Sequence, residues 1–354
     1  MSRRLFVNLG ENSYDIFIED GLIGRVGEAI RRIYAGQKVF IITDENVHRL
    51  YGKTVEDSLK NAGFVTDTLV MPAGEATKSF ESLPVIYDKL LKFQLNRKGL
   101  IVTLGGGVIG DLGGFAAATF LRGVPFIQIP TSLLAQVDSS VGGKVAVDLP
   151  QGKNLVGSFY QPKAVLIDPK VLSSLSDHFF RDGMAEVIKY GCIQDAAFFE
   201  KLSGLKSRTE AMENMEEILH TCCHIKKTIV ELDEKDLGER MLLNFGHTYG
   251  HAVEKYYRFE RYSHGEAIAI GMAHITRISE AKGLTEKGTL QKILNILQNW
   301  GLPIQVDISD PDKILGAIML DKKNLNDRLK AVLLKKIGES FLYDTTPGFF
   351  QSNL

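Results

Sequence analysis

A short apolar run followed by consecutive glycines is the feature that most restricts how this chain can fold. Residues 100–104 read Leu-Ile-Val-Thr-Leu, a length and composition typical of a buried strand. Gly105, Gly106 and Gly107 follow, and the small residues after them predict a closely packed helix. Glycine lets the main chain approach an anion, and a helix N-terminus favours negative charge. The pattern therefore predicts a pyrophosphate cradle between a strand and a helix.

The spacing of these glycines also fits the dinucleotide fingerprint G-x-G-x-x-G, from Gly105 to Gly110. Only the glycine spacing fits this fingerprint, because the acidic residue expected about 20 positions later is absent. Glycine-rich turns can also serve only to pack a helix on a sheet. Asp44, at the end of the predicted strand 38–43, is a candidate partner for a ribose diol. The alternative is that Asp44 caps the next helix.

The order of predicted elements divides the chain into two parts. Strands and helices alternate up to Asp168, which predicts a Rossmann-like, mostly parallel α/β sheet. Beyond residue 176 the apolar period is helical, apart from a strand-like pair near the C-terminus. The predicted helices are 182–201, 208–231, 241–257, 264–281, 286–299 and 311–320, and the strand pair is 329–337 and 340–344. We expect an α/β domain over residues 1–172 and a mainly α-helical domain over 173–354, with a ligand cleft between them.

Composition narrows the class of protein. With 44% apolar residues, 24% charged residues and a net charge of −1, the chain resembles an ordinary soluble globular protein. It has no long-range field that would gather nucleic acid or an anionic membrane. Its three cysteines form no CxxC pair, which favours reduced thiols. The N-terminus has no apolar segment typical of a signal peptide, and the longest uncharged apolar run stops at Arg122. We expect a cytoplasmic protein without nucleic-acid or membrane partners.

Three clusters in the second half suggest a metal site. Glu186 and Lys189 share a helix face, His247 and His251 lie one helical turn apart, and His264 begins a further helix. Two histidines and a glutamate supply a three-ligand set for a divalent metal with open coordination positions. Spacing alone does not choose between His247 with His251 and His247 with His264. Any one cluster is more simply an ion pair or a hydrogen-bonded buried histidine, but three together favour a metal.

Basic residues among glycines and serines suggest a second feature. Asp138, Lys144 and Lys153 lie in a segment of low apolar content that follows the glycine cradle. Isolated lysines would be solvated surface charges. Their position beside the cradle instead predicts a loop that grips an anionic or polyhydroxylated ligand.

These segments together resemble the 3-dehydroquinate synthase family of the shikimate pathway. The matching segments are 105–111, 121–123, 136–140, 142–144, 152–154, 186–189, 244–251 and 264–266. The resemblance implies a homodimer in which the α/β domain binds NAD and the helical domain binds zinc or cobalt. The implied reaction converts 3-deoxy-D-arabino-heptulosonate 7-phosphate to 3-dehydroquinate and phosphate. It proceeds by transient oxidation with NAD, β-elimination of phosphate, reduction and intramolecular aldol closure.

The resemblance also assigns roles to residues. It implies that the metal ligands are Glu186, His247 and His264, so that His251 faces the substrate. It places around NAD the residues Asp44, Glu75, Lys78, Gly107, Val108, Ile109, Gly110, Asp111, Thr131, Ser132, Lys144 and Lys153. It places around the substrate the residues Asp138, Lys144, Lys153, Asn154, Lys189, Lys226, Arg240, Asn244 and His251. Lys323 is a further candidate, and Arg122 would reach the partner subunit's site. Ala73 departs from the aspartate usual in the family.

Two other enzyme classes compete with this interpretation. Sugar-phosphate cyclases that act on sedoheptulose 7-phosphate or glucose 6-phosphate share the architecture, although the segment 142–148 favours a dehydroquinate enzyme. A metal-dependent, NAD-linked polyol dehydrogenase would instead release NADH. A non-enzymatic binding module is disfavoured by the combination of metal, cofactor and anion sites.

Overall fold

The computed structural model describes residues 3–321 and 329–351, and the chain divides into two compact units. The first unit contains Met1–Leu175 and Asn214–Lys235, and the second contains Ser176–Glu213 and Asp236–Leu354. The segment Asn214–Lys235 therefore returns to the first unit. The sequence predicted a single boundary between residues 172 and 173, which would place residues 214–235 in the second domain.

A seven-stranded sheet forms the centre of the first unit. Its strands are β1 (Arg3–Val7), β2 (Tyr14–Ile18), β3 (Lys38–Asp44), β4 (Val65–Met71), β5 (Leu100–Gly105), β6 (Phe126–Pro130) and β9 (Ala164–Ile167). Their order across the sheet is β1-β2-β9-β6-β5-β3-β4. Only the β1–β2 pair of this sheet is antiparallel. The parallel strands β5, β6 and β9 are buried throughout, as expected for a sheet covered on both faces.

Helices cover both faces of this sheet. They are α1 (Val26–Ile33), α2 (Glu45–Val47), α3 (Lys53–Asn61), α4 (Ser82–Lys92), α5 (Gly107–Thr119) and α9 (Met215–Leu232). On β3, Phe40 and Ile42 belong to one apolar cluster, and Val39 and Ile41 belong to the other. This alternation follows from the two-residue period of a strand, which sends successive side chains to opposite faces. The predicted α/β architecture is confirmed.

The glycines of α5 allow its backbone to pack closely against β5 and Val145. A Cβ atom at Gly113 would lie 2.5 Å from Thr103 Cγ2 on β5, and one at Gly114 would lie 2.4 Å from Val145 Cγ1. No larger side chain fits at either position without moving the helix. The small-residue run therefore fixes the distance of α5 from the sheet.

A β-hairpin occupies the segment for which the sequence predicted a loop. β7 (Lys144–Leu149) pairs antiparallel with β8 (Gly152–Phe159). Most of β8 is exposed or half-buried, so it lacks the apolar alternation that identifies a strand. The prediction of a loop at Lys144, Lys153 and Asn154 was wrong. Hydrogen bonding between β7 and β8 makes this segment a hairpin, and composition does not indicate that pairing.

The second unit is mainly helical. Its helices are α6 (Asp177–Gln194), α7 (Ala196–Gly204), α8 (Arg208–Glu213), α10 (His247–Tyr256), α11 (His264–Ala281), α12 (Thr289–Asn299) and α13 (Pro311–Asp321). β10 (Leu329–Lys336) and β11 (Glu339–Thr345) form an antiparallel pair. Residues 182–201, predicted as one helix, belong to α6 and α7, which Asp195 separates by capping α7. None of the described helices combines the length and apolar character that crossing a bilayer requires.

Candidate metal centre and cofactor cradle

The glycine cradle lies at the carboxyl edge of the sheet in the first unit. Gly106 precedes α5, and a Cβ atom there would lie 3.3 Å from Ser132 Oγ. A Cβ atom at Gly107 would lie 3.1 Å from Ser139 Oγ. The backbone and two hydroxyl groups therefore line the start of the helix, where the first N–H groups have no partner within the helix. This arrangement fits a pyrophosphate, and Gly107, Val108, Ile109, Gly110 and Asp111 form the first turns of α5.

Lys78 and Asp111 form a buried ion pair beside the cradle. Lys78 Nζ lies 2.7 Å from Asp111 Oδ2 and 3.9 Å from Glu75 Oε1. Burial lowers the pKa of Lys78, but the carboxylates of Asp111 and Glu75 outweigh burial and raise it. Lys78 is therefore held as a cation next to the first turns of α5. The structure brings these three predicted cofactor residues together.

Two further predicted cofactor contacts lie at the same edge. Asp44 ends β3, and its Oδ1 accepts hydrogen bonds from the N–H groups of Asn46 and Val47. This is the helix cap that the sequence left open as the alternative to a ribose contact. Thr131 follows β6 and donates its N–H to Gly105 O over 2.9 Å. Because the carboxyl ends of parallel strands share one edge, Asp44 and Thr131 flank the glycine turn on neighbouring strands.

The anion-binding candidates of the first unit lie on three local structures. Asp138 lies in a π-helical turn (Ala135–Ser139), and Lys226 Nζ on α9 donates to Asp138 Oδ1 over 2.7 Å. Such turns are frequent at functional sites. Lys144 opens β7, and Lys153 and Asn154 lie at the start of β8, where Asn154 has a φ of 57°. Arg122 ends a short 3-10 segment, and Lys323 lies outside the described residues.

Glu186, His247 and His264 meet within the second unit. Glu186 is completely buried on α6, and the histidines are the first residues of α10 and α11. His247 Nε2 lies 3.4 Å from Glu186 Oε1, and His264 Nε2 lies 3.6 Å from the same oxygen. These distances exceed ordinary hydrogen bonds. Ligands about 2.0–2.1 Å from a tetrahedral zinc are about 3.3–3.4 Å apart, so the donor atoms fit such an ion.

A backbone carbonyl holds one imidazole ring through a hydrogen bond, and a carboxylate faces the other ring. His247 Nδ1 lies 3.1 Å from Phe245 O, an arrangement in which Nδ1 donates and Nε2 keeps its lone pair. His264 Nδ1 lies 3.6 Å from Glu254 Oε2. Burial lowers the pKa of His264, but Glu186 and Glu254 outweigh burial and raise it to about 10. The two carboxylates therefore favour a positive charge at His264, as they would favour a bound cation.

Lys189 and His251 border this cluster. Lys189 is buried on α6, and its Nζ contacts Glu186 Oε2. Among the described residues, a second group with metal-ligand spacing contains His251, Glu254 and His264. His247 and His251 do not occur in one group, so the geometry favours His264 as the partner of His247. Arg240 and Asn244 lie in a 3-10 segment (Glu239–Asn244) just before α10.

Two family models match consecutive parts of the chain. The model for the N-terminal domain of 3-dehydroquinate synthase matches residues 68–182, and the model for its C-terminal domain matches residues 183–324. The chain belongs to the 3-dehydroquinate synthase family. The resemblance inferred from the sequence is confirmed. A 3-dehydroquinate synthase of Clostridium botulinum (strain Alaska E43 / Type E3) is 60% identical over 349 residues, which are 99% of this chain and 100% of the relative.

Two solved structures share the fold of this family member. ValA, the 2-epi-5-epi-valiolone synthase of Streptomyces hygroscopicus subsp. jinggangensis 5008, was solved with NAD+ and Zn2+ bound. It is 25% identical with a TM-score of 0.88, over 98% of this chain and 96% of ValA. A 2-deoxy-scyllo-inosose synthase has a TM-score of 0.89 at 24% identity, over 99% of this chain and 98% of its own. The predicted fold class is confirmed.

Glu254 lies beside the candidate metal ligands, and the sequence reasoning missed it. It is buried on α10, three residues after His251, and its carboxylate faces His264 Nδ1. The signal was present in the sequence, since His247, His251 and Glu254 recur at helical spacing on one face. A carboxylate behind a ligating histidine is a common feature of metal sites.

Proposed function

We propose that this chain catalyses the reaction of its family, converting 3-deoxy-D-arabino-heptulosonate 7-phosphate to 3-dehydroquinate and phosphate in the shikimate pathway. The observation that carries the proposal is 60% identity over the full length of a 3-dehydroquinate synthase. The geometry of each unit supports it, because one contains a pyrophosphate cradle and the other a three-ligand metal set.

We propose that Glu186, His247 and His264 hold zinc or cobalt, and that the cradle of α5 holds NAD. When bound, the metal would acidify a coordinated hydroxyl group, and NAD would accept and return a hydride. The donor set supports this assignment, since one carboxylate and two imidazoles suit both metals. Glu254 and Phe245 O would keep the two rings in ligating orientation.

Basic side chains would position the substrate. Lys144, Lys153 and Asn154 on the β7–β8 hairpin would hold its phosphate or carboxylate, and the charges of the two lysines would stabilise the departing phosphate. Lys226 would keep Asp138 in place through their ion pair. The remaining proposed substrate contacts are Lys189, Arg240, Asn244, His251 and Lys323. We assign proton handling to His251, because its ring borders the metal ligands.

The proposal also includes a homodimer located in the cytoplasm, with Arg122 reaching the partner subunit's site. A mixture of Arg122→Ala and His264→Ala chains tests this arrangement. If Arg122 acts across the interface, mixed dimers contain one intact site and recover activity. If mass spectrometry shows that the subunits have exchanged but activity does not recover, the proposed role of Arg122 is wrong. A monomer in light scattering would overturn the dimer.

One assay tests the reaction. Purified protein with NAD and zinc is supplied with each of three sugar phosphates, while inorganic phosphate and nicotinamide absorbance are followed together. We expect phosphate release from the heptulosonate without net NADH. Net NADH would indicate a polyol dehydrogenase, and turnover only of sedoheptulose 7-phosphate or glucose 6-phosphate would indicate another cyclase. Chelator treatment should abolish phosphate release, and zinc or cobalt should restore it.

A further inference from the structure

Asp182 links the helix that carries Glu186 to the helix that carries His264. It lies on α6 one turn before Glu186, so both side chains are on the same helix face. The residue is 7% exposed, and its Oδ1 accepts a hydrogen bond from the backbone N–H of Gly265 over 2.5 Å. Gly265 is adjacent to His264, and all of these residues belong to the second unit.

The backbones of the two helices also meet at this point. A Cβ atom at Gly265 would lie 2.0 Å from the carbonyl oxygen of Asp182. The first turn of α11 therefore rests directly on α6, without an intervening side chain. Because His264 opens α11, the position of its Cα follows from this contact.

The electrostatic environment at the start of α11 favours the carboxylate of Asp182. It lies at the N-terminus of α11, where the helix dipole and the free N–H groups favour negative charge. A second carboxylate, Glu266, accepts the N–H of Ser263 over 2.9 Å. That bond joins residues of one segment, whereas the Asp182 bond joins α11 to α6.

We propose that Asp182 is a positioning residue for the metal centre. This inference rests on the proposed function, because it requires a metal at that centre. By tying Gly265 to α6, it sets the separation between Glu186 Oε1 and His264 Nε2. Metal–ligand distances tolerate only about 0.2 Å of variation. Loss of the tie should therefore weaken metal binding about 10–100-fold, the range typical of partners behind the ligands.

The test is a zinc titration of the metal-free full-length chain against a chelating indicator. Asp182→Ala should bind zinc at least about tenfold more weakly than the wild type. Asp182→Asn keeps an acceptor oxygen at the same place and should restore most of the affinity. The visible spectrum of bound cobalt should change in Asp182→Ala, because it reports coordination geometry independently of turnover.

Asp195→Ala is the matched control. Asp195 caps α7 in the same unit, and its Oδ1 accepts the N–H of Phe198 over 2.9 Å. The substitution removes a similar carboxylate–backbone bond from a helix without proposed ligands. It should lower the melting temperature as Asp182→Ala does, with zinc affinity unchanged.

The outcomes separate this inference from the proposed function. If Glu186→Ala and His264→Ala lose zinc but Asp182→Ala keeps wild-type affinity, the positioning role is wrong and the metal centre stands. An equal loss of affinity in Asp182→Ala and Asp195→Ala would also overturn the positioning role. If the wild type binds no zinc, the metal centre is wrong and the role of Asp182 falls with it.

Discussion

Replacing Lys78 should destabilise the first unit by an amount that follows from its ion pair with Asp111. The two charged atoms are 2.7 Å apart, and the side chains are 6% and 15% exposed. Lys78→Met keeps the apolar stem and removes the charge that compensates the carboxylate. Removing one partner of a buried pair costs about 3–5 kcal/mol. Because Asp111 keeps some exposure and can take up a proton, we expect about 3 kcal/mol.

The destabilisation should depend on pH with a defined sign. Burial raises the pKa of Asp111, and the charge of Lys78 opposes this rise. In Lys78→Met the pKa of Asp111 rises further, so the folded variant binds the proton more tightly than the unfolded chain. Its stability therefore falls as pH increases through the range between the unfolded and folded pKa values. The deficit should be smaller at about pH 5 than at about pH 8.

Calorimetry of the NAD-free protein measures this effect. For a unit of this size, 3 kcal/mol corresponds to a fall of roughly 6–12 °C in melting temperature. Lys92→Met is the matched control, because Lys92 pairs with Asp88 on an exposed helix face and should cost less than about 0.5 kcal/mol. The double variant Lys78→Met/Asp111→Asn should regain stability, since neither position of the pair then carries a charge. A pH-independent loss below about 1 kcal/mol in Lys78→Met would refute the reasoning.

Three further predictions concern the second unit and the thiols. His251→Ala should lose phosphate release but keep stoichiometric zinc in metal analysis, because His251 is outside the proposed ligand set; loss of zinc would make it a ligand. Gly271→Ala should lose about 1–3 kcal/mol or more in denaturant unfolding, because its Cβ atom would lie 1.9 Å from Gly246 O. Gly316→Ala, with nothing within 4 Å, should not be destabilised, and equal losses would contradict this prediction. Burial raises the pKa of Cys223 to about 12, so its thiol should react with maleimide only after unfolding; rapid labelling of the folded protein would show otherwise.

Local patterns predicted those parts of the fold in which burial and periodicity agree. The strands β5, β6 and β9 are buried on both faces and appear in the sequence as apolar runs. The β7–β8 hairpin has little apolar alternation, and its order comes from pairing along its length. The helix predicted over 208–231 is divided into α8 and α9 in the structure, and helical periodicity does not indicate which unit α9 joins. Its contacts with Asp138 and β1 place it in the first unit.

The sequence by itself determined the succession of elements, the glycine turn that exposes backbone before α5, and the residue types able to bind a metal. These features depend on side chains close together along the chain. Spacing left open whether His251 or His264 joins His247, and the family resemblance implied His264. Only the tertiary structure brought His247 and His264 together at Glu186, with Glu254 facing His264 and Asp182 bound to the backbone of Gly265. The physical reason is that a metal centre requires separations held to tenths of an ångström. Those separations depend on how α6, α10 and α11 pack, which the period of each helix alone does not specify.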